Sequence, residues 1–328
     1  GLAVEKILFG EINPSGRLAE TFPLNEMDIP SHQEFAKGNN NVFYKESIYV
    51  GYRYYQSLNK PVLFPFGFGM SYSHFEYSNI RTSKKTLKNG NESLKVSVDI
   101  TNNGPFDGKE VVLLFSEAKK PRTPRPKREL IDFTKVFIKN GVTKSVTFTV
   151  NLESFRYYHS KKKAFVTDDG IYHLQFMKNA RDILVEIPVE VLTGKEYLGS
   201  LWNTLDSYQI KGGLTFKDED FAKLIGTEIK DRHVIYTRPY SINNNIEDIE
   251  HTFIGKILKK NIDKQLAKQL ANQTDDFKEM VLKSIYQMPL RFIAKFSHGQ
   301  VSINLLEALI ALINRQYFKA LKHFFRKD

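Results

Sequence analysis

An acidic and a basic side chain stand in the densest aromatic stretch of the sequence. Glu46 and Arg53 lie among tyrosines at positions 44, 49, 52, 54 and 55. Carboxylates and guanidinium groups hydrogen-bond to hydroxyl groups, and aromatic faces stack against sugar rings. Glu46, Arg53 and Tyr44 are therefore candidates for a sugar-binding subsite. We favour the structural alternative, in which a Glu-Arg ion pair and tyrosine hydroxyls satisfy one another inside a packed region.

Three other sets of residues are of types that take part in catalysis or ligand binding in other proteins. Asp168 and Asp169 are adjacent carboxylates before Gly170, which is typical of a turn rather than of a catalytic pair. Gly67-Phe68-Gly69 lacks the spacing and the Lys-Ser/Thr of a phosphate loop, so we interpret it as a tightly turned linker. The eight histidines show no paired spacing, and there is no cysteine. The sequence therefore predicts no metal site and no cofactor.

Much of the positive charge lies in one short stretch. The net charge is +11, and the stretch contains six basic residues: Lys119, Lys120, Arg122, Arg125, Lys127 and Arg128. Such a stretch can bind nucleic acid electrostatically, but single-strand binders combine basic grooves with aromatic stacking platforms, and no aromatic residue interrupts this one. We favour a solvated loop between strands and expect no nucleic-acid partner.

Length and composition favour a soluble globular protein of more than one unit. The 328 residues are 41% apolar and 26% charged, which argues against disorder and collagen-like structure. The apolar run 303–313 contains Asn304 and Glu307 and is too short for a transmembrane segment. The absence of cysteine excludes disulfides and favours a reducing compartment, so we expect a cytoplasmic location. The sequence starts with Gly1 rather than Met, and we expect it to be part of a longer protein.

Between about residues 81 and 192 the pattern is that of short β-strands. Leu94, Val96, Val98 and Ile100 alternate with polar residues, as in a strand with one buried face. Further strands are predicted at 111–115, 136–138, 146–150, 171–177 and 183–191. The runs on either side of Asn140-Gly141 are expected to form a hairpin, and Pro188 marks an edge strand. Roughly seven such strands predict an antiparallel sandwich of immunoglobulin or fibronectin III type.

The regions on either side of this sandwich have different patterns. Residues 1–80 are rich in Gly, Pro and aromatic residues, with a helix-like run from Leu2 that ends at Gly10. We interpret them as irregular, well-packed chain. After residue 193, apolar residues recur at three- and four-residue steps, which predicts amphipathic helices. These helices are expected at 254–270, 280–288, 303–313 and 314–328, and residues 211–250 are interpreted as loop.

Three ordered motifs occupy the first 80 residues. Leu8 to Pro23 contains an LFG, a PSG-basic-Leu and a TFP pattern. Tyr44 to Tyr55 has the form Y-x-E-S-I-Y-V-G-Y-R-Y-Y, and Phe64 to Phe75 has the form F-P-F-G-F-G-M-S-Y-S-x-F. Together they resemble the end of the α/β sandwich domain of family 3 glycoside hydrolases, which usually has Gly at the position of Ser47. Parts of residues 96–182 resemble the fibronectin III-like domain that follows in many members.

The resemblance implies retaining hydrolysis of a β-glycoside. This chemistry needs two carboxyl groups about 5 Å apart, one attacking the anomeric carbon and one protonating the leaving oxygen. In the family the nucleophile lies on an N-terminal barrel domain and the acid/base carboxylate on the α/β domain, and neither motif occurs in this sequence. We therefore expect the catalytic residues upstream of Gly1, and no hydrolase activity from this chain alone.

The sequence thus predicts a multi-domain α+β chain. Residues 1–80 are expected to end an α/β sandwich domain, 81–192 to form a fibronectin III-like sandwich, and 193–328 to form a mainly helical extension. The expected role is non-catalytic: the chain braces the catalytic barrel and α/β domains of a β-glucosidase-like enzyme that cleaves an oligosaccharide or an aryl β-glycoside. The alternative is a stand-alone binding module that uses the basic stretch and the amphipathic C-terminal helix on a polyanion or a membrane surface.

Overall fold

The chain forms two compact units. The computed structural model describes residues 1–34, 42–88, 90–195, 197, 199–229, 238–296 and 301–326. The first unit consists of Gly1–His32 and Tyr44–Glu228, and the second of Gln33–Phe43 and Ile229–Asp328. The observed division therefore differs from the expected boundaries at residues 80 and 192, because the first two expected segments and part of the third fold together.

The first unit begins with irregular chain, short helices and a small sheet. Helix α1 (Leu2–Leu8) ends before Gly10, whose φ of +77° is the left-handed conformation that often follows a helix. Strands β1 (Phe22–Pro23) and β2 (Val62–Phe64) pair antiparallel, and helix α2 (Tyr52–Ser57) lies between them in the sequence. The predicted first helix is thus confirmed.

Two sheets and a hairpin follow. One sheet has the strand order β3 (Phe75–Thr82), β5 (Ser93–Asn102), β8 (Thr143–Asn151). The other has the order β4 (Thr86–Leu87), β12 (Ile183–Val191), β11 (Gly170–Met177), β6 (Gly108–Ala118), β7 (Glu129–Ile138). A separate hairpin pairs β9 (Tyr157–His159) with β10 (Ala164–Val166). All of these pairs are antiparallel except β4 with β12, and the expected sandwich is confirmed.

The inward faces of the two sheets form the core of the sandwich. The four alternate apolar residues of β5, from Leu94 to Ile100, are at most 1% exposed, as their spacing predicted. Phe148 of β8 and Phe176 of β11 have ring centres 6.0 Å apart, so their contact joins the two sheets. Burying one such side chain stabilises the fold by roughly 1.5–3 kcal/mol. The sandwich therefore has a core of its own.

The predicted hairpin around Asn140-Gly141 is wrong, because its two strands lie in different sheets. Strand β7 pairs with β6, whereas β8 pairs with β5. The end of β5 holds the turn between them: the Gly141 N–H donates to Asn102 O at 2.9 Å, and Asn102 Nδ2 donates to Ile138 O at 3.0 Å. The connection thus passes from one sheet to the other.

Pro188 occupies an edge position, as predicted. It lies opposite His173 of β11, while on the other side of β12 the two-residue strand β4 reaches only Glu190 and Val191. A proline is tolerated at such a position because no neighbouring strand requires its missing N–H.

Residues 193–228 belong to the first unit and not to the helical extension expected from the sequence. They form three short 3-10 turns, Leu201–Thr204, Asp206–Tyr208 and Ile210–Gly212, and helix α3 (Asp218–Ile225). Tyr208 is fully buried, its hydroxyl donates to Lys45 O at 2.6 Å, and its own carbonyl accepts from the Tyr49 hydroxyl at 3.2 Å. Buried aromatic residues fix this segment, and they left no periodic pattern in the sequence.

The second unit is helical. Its helices are α4 (Ile246–Ile249), α5 (Phe253–Gln269), α6 (Asp275–Tyr286), α7 (Arg291–Phe296), α8 (Ile303–Ile313) and α9 (Tyr317–Phe324). Side-chain caps fix the starts of α5 and α8: Thr252 accepts from Gly255 N, and Ser302 accepts from Leu305 N. The four predicted helices are confirmed as α5, α6, α8 and α9, and no helix in the described ranges is long and apolar enough to cross a membrane.

The interpretation of residues 211–250 as loop is wrong in two places. Helices α3 and α4 lie within this range, and residues 230–237 lie outside the described residues. Helix α4 is a single turn, started by a reciprocal cap in which Asn245 and Asp248 accept from each other's backbone N–H. Its residues Ile246 and Ile249 enter the core of the second unit together with Tyr240. One helical turn is too short to produce a recognisable period.

Candidate functional site

Residues 44–55 pass through a tight turn before entering α2. Ser47 and Gly51 both have left-handed backbone conformations, with φ of +47° and +59°. The turn leaves Tyr44 71% exposed and places Glu46, 7% exposed, inside the first unit. Two of the candidate residues therefore lie in opposite environments.

The third candidate, Arg53, pairs with a carboxylate of the sandwich. Its Nε lies 3.8 Å from Oε1 of Glu129, and Arg125 Nη2 donates to the other oxygen of Glu129 at 2.6 Å. Beside these residues, the Leu130 N–H donates to the Tyr52 hydroxyl at 3.0 Å. We call Arg53, Glu129 and Arg125 the Glu129 cluster. It joins the Tyr44–Tyr55 motif to strand β7, and it corrects the expected partner of Arg53 from Glu46 to Glu129.

A cavity of about 410 Å³ opens beside the Glu129 cluster. Its lining comes from the turn before α2, the basic stretch, the β9–β10 hairpin and the first 3-10 turn after the sandwich, together with Arg53 of α2 and Glu129 of β7. Its aromatic lining consists of Tyr157, Tyr158, Phe165 and Trp202. We call this space the aromatic cavity. Burial, partly offset by the Thr123 hydroxyl, raises the pKa of Tyr157 to about 12, so this phenol is neutral at physiological pH.

The structure brings together a different set of residues from the one expected. Arg53 lines the aromatic cavity, whereas the other two candidates, Tyr44 and Glu46, do not. Sequence reasoning missed Glu129 and the aromatic lining residues. A signal was present for part of the lining, because Tyr157 and Tyr158 precede a lysine-rich turn and Phe165 follows it, as in a short hairpin.

The basic stretch is only partly a solvated loop. Arg125 is buried, where it also donates to Phe155 O at 3.1 Å. Arg128 Nε and Lys119 Nζ lie 3.1 and 3.4 Å from the carboxylate oxygens of Glu117. Burial raises the pKa of Glu117, but hydrogen bonding from Gln175 and the charges of Arg128 and Lys119 outweigh burial and hold that pKa below its usual value. Three of the six basic residues are thus paired within the sandwich.

The two carboxylates of the predicted turn have different environments. Asp169 accepts hydrogen bonds from the Thr193 N–H, the Thr193 hydroxyl and the Gly194 N–H, at 2.6 to 2.9 Å, so it caps the chain that leaves β12. Asp168 is buried beside a second cavity, of about 460 Å³, and its Oδ1 has no hydrogen-bond partner among the described residues. Burial raises the pKa of Asp168. The two residues lie where the chain bends before β11, in place of the predicted turn, and the hydrogen bonds of Asp169 to Thr193 and Gly194 were not predicted from the sequence.

The Gly67-Phe68-Gly69 segment is part of the packed linker. Gly67 has a φ of +82°, and a Cβ at this position would lie 2.8 Å from Leu113 Cδ1. Its N–H donates to Leu18 O, and the Leu18 N–H donates to Phe68 O, both at 2.8 Å. The first and third sequence motifs therefore pack together, and the left-handed φ of Gly67 and its closeness to Leu113 explain the need for glycine.

The histidines do not form a metal centre in the described part of the chain. No group of three or more His, Cys, Asp or Glu side chains there is arranged so that it could hold a metal ion. His173 lies on the face of β11 opposite the core residues Tyr172, Leu174 and Phe176, with its Nδ1 3.1 Å from Glu186 Oε2.

Comparison with protein families assigns both parts of the first unit. Residues 1–72 match the model of the glycosyl hydrolase family 3 C-terminal domain, and residues 110–180 match that of a fibronectin type III-like domain. The chain is a C-terminal portion of a family 3 glycoside hydrolase. Ser47, in its left-handed conformation, thus stands where the family 3 motif usually has Gly, the residue that adopts this conformation most easily.

Curated relatives extend the family 3 assignment along the chain. Thermostable beta-glucosidase B of Acetivibrio thermocellus is 32% identical over 96% of this chain, which covers 36% of that protein. Exo-alpha-(1->6)-L-arabinopyranosidase of Bifidobacterium breve is 33% identical over 64% of this chain, which covers 27% of that protein. The family 3 portion described here therefore spans about a third or less of these relatives.

Solved structures support the same fold. The Bifidobacterium adolescentis GH3 beta-glucosidase matches 65% of this chain at 32% identity with a TM-score of 0.56, and the chain covers 31% of it. The Kluyveromyces marxianus beta-glucosidase, solved with glucose, matches 58% at 32% identity with a TM-score of 0.54, and the chain covers 22% of it.

Proposed function

We propose that this chain is the non-catalytic, bracing portion of a retaining β-glycosidase. The single observation that carries the proposal is the Glu129 cluster, in which Glu129 of the fibronectin III-like sandwich pairs with Arg53 of the family 3 C-terminal motif and with Arg125 of the sandwich itself. Retaining chemistry needs its two carboxyl groups held about 5 Å apart, and small displacements of such groups are costly for the rate. A rigid portion that packs against the catalytic domains would help to keep their two carboxyl groups at this separation.

A buried ion pair between the first motif and strand β6 also supports the bracing role. Arg17, in the first motif, donates to Glu110 of β6 at 2.6 Å, and both side chains are largely buried. The Tyr77 hydroxyl of β3 donates to the other oxygen of Glu110 at 3.1 Å. Removing one partner of a buried pair typically costs 3–5 kcal/mol, roughly, because the other charge is left uncompensated. Together, the Arg17–Glu110 pair and the Glu129 cluster link the family 3 motifs to the sandwich.

The partner of this brace is proposed to be the upstream barrel and α/β domains. Several large apolar side chains of the family 3 segment are exposed, among them Leu8 and Phe9, the latter 80% exposed. Large exposed apolar surface commonly marks an interaction site. The catalytic carboxylates and the choice of sugar are proposed to lie in those domains, since relatives named for different glycosides share this portion.

Coexpression with an upstream half that contains the barrel tests the proposal. We expect the two halves to copurify and to hydrolyse an aryl β-glucoside, whereas this chain alone shows no turnover. Phe9→Asp should weaken copurification at least about tenfold, because a charge would have to be buried in the interface. Phe133→Asp, at an exposed position of the sandwich outside the family 3 segment, is the matched control and should have no effect. Turnover by the chain alone, or two folded halves that never associate, would contradict the proposal.

A second candidate function is attachment to an anionic membrane surface through α9. Phe318 is 92% exposed, and Tyr317, Leu321 and Phe324 are also exposed, interspersed with Lys319 and Lys322. Basic helices with exposed aromatic residues bind anionic lipid surfaces. Cosedimentation with phosphatidylserine-containing vesicles should then exceed that with phosphatidylcholine alone and should fall with salt. Equal sedimentation with both vesicle types would remove this candidate.

A further inference from the structure

The aromatic cavity has features that the bracing role does not require. Tyr158 and Phe165 are 49% and 61% exposed at its rim. They stand opposite each other on the β9–β10 hairpin, with ring centres 5.5 Å apart in an edge-to-face arrangement. This hairpin belongs to neither sheet of the sandwich, so the sandwich core does not explain its two rings. Rings held half-exposed around a concave space are suited to stacking against a ligand.

Hydrogen-bonding groups lie beside these rings. Arg53 Nε is buried and has no hydrogen-bond partner among the described residues, and the 3.8 Å to Glu129 Oε1 is too long for a hydrogen bond. A hydroxyl group can accept from Arg53 and donate to Glu129 at the same time. The pair is therefore matched to a ligand that carries hydroxyl groups.

The charges around the cavity favour a neutral ligand. Glu129 is paired with Arg53 and Arg125, and Arg156 lies 3.8 Å from Glu153. The Arg156 guanidinium also lies 4.9 Å from the centre of the Phe165 ring. An anion would have to compete with Glu129 and Glu153 for these arginines, whereas a neutral molecule leaves the ion pairs in place.

We propose that the aromatic cavity binds a neutral saccharide of one or two rings, stacked on Tyr158 and Phe165 and hydrogen-bonded by Arg53 and Glu129. A volume of about 410 Å³ is in the lower part of the range for small-molecule sites, which suits a short saccharide. The site would hold saccharide on the accessory portion itself. The choice of a β-linked glucose disaccharide as the probe rests on the proposed function, but the binding readout involves no hydrolysis.

Tryptophan fluorescence can report binding in the cavity directly, because Trp202 lines the cavity and is the single tryptophan of the sequence. Cellobiose added to the purified 328-residue chain should change the tryptophan fluorescence in a saturable way, with a Kd of about 1 mM, typical of a weak site. The double variant Tyr158→Ala/Phe165→Ala should raise this Kd at least about tenfold, since both stacking rings are lost. Both positions are half-exposed, so the circular dichroism spectrum should remain that of the parent chain.

The matched control is Tyr44→Ala, another exposed aromatic residue, which does not line the cavity and should leave the Kd unchanged. Three results would overturn the proposal: no fluorescence response up to about 50 mM cellobiose, an unchanged Kd in the folded double variant, or tighter binding of glucuronate or phenol than of cellobiose. Because the chain is tested alone, a failure here is distinct from a failure of the coexpression experiment.

Discussion

At the scale of single residues, Glu129 is the carboxylate of the candidate site that pairs with two arginines. Its carboxylate lies between Arg53 and Arg125, and the Arg125 side chain is 8% exposed. Little water reaches the Arg125 guanidinium, so its positive charge is compensated mainly by the Glu129 carboxylate. The sequence did not indicate the pairing with Arg53, since Arg53 and Glu129 are far apart along the chain, whereas Arg125 is only four residues from Glu129.

Glu129→Gln tests this compensation. We expect the free energy of unfolding to fall by about 3 kcal/mol, because the variant leaves Arg125 buried without its counter-charge. Urea unfolding followed by circular dichroism measures the change. Glu153→Gln is the control: this exposed carboxylate lies 3.8 Å from Arg156, and its removal should alter stability by no more than about 0.5 kcal/mol. Equal effects of the two changes would show that the Glu129 cluster is not a buried ion pair.

At the scale of elements, the three-stranded sheet carries a cross-strand cluster on its outer face. Arg81 Nη2, on β3, donates to Asp99 Oδ1, on β5, at 2.9 Å, and the Ser145 hydroxyl of β8 donates to the same oxygen. These hydrogen bonds, Arg81 first, lower the pKa of Asp99 to about 2. The cluster thus ties the three strands of the sheet together across their solvent face.

This cluster makes a prediction for acid pH. An unfolded aspartate has a pKa of about 3.9, so the stabilising contribution of folded Asp99 is complete above that pH and is lost as the pH falls through about 2. A carbon-13 NMR titration of the carboxyl group should give a pKa of about 2 in the parent chain. Arg81→Gln should move it up towards about 3.9. An ordinary aspartate titration in the parent chain would be inconsistent with the cluster.

At the scale of the whole molecule, the division into two units determines where the chain can be truncated without destabilising the first unit. Residues 193–228 complete the first unit, because Tyr208 covers Tyr49 and its ring packs at 5.4 Å from both Trp202 and Phe216. A domain boundary at residue 192, as expected from the sequence, would expose Tyr49, which is fully buried in the complete chain.

Two truncated chains separate these alternatives. A chain ending at Glu228 should unfold cooperatively in urea, because it retains the complete first unit. A chain ending at Leu192 should be less stable by about 3 kcal/mol or more, comparable to removing a buried aromatic side chain. Coincident unfolding midpoints for the two chains would mean that residues 193–228 contribute nothing to the first unit.

The candidate site was predictable only in part. The Tyr44–Tyr55 motif drew attention to Arg53 because of its residue types, and the structure does place Arg53 at a cavity. Its neighbours there come from the basic stretch, the β9–β10 hairpin and the turn containing Trp202, which are separated in sequence. Residue types identify what a side chain can bind, but they do not identify which distant side chains share its cavity.

The sequence by itself determined the local structure: the buried face of β5, the helices α5, α6, α8 and α9, the turns and the family 3 motifs. These follow from the period of polar and apolar residues and from backbone preferences, which act over a few neighbouring positions. The tertiary structure alone decided that β7 and β8 enter different sheets, that Arg53 pairs with Glu129, and that Tyr208 closes the first unit. The physical reason is that the same alternating pattern suits a hairpin or a crossing between sheets, and only the burial of both sheet faces together selects between them.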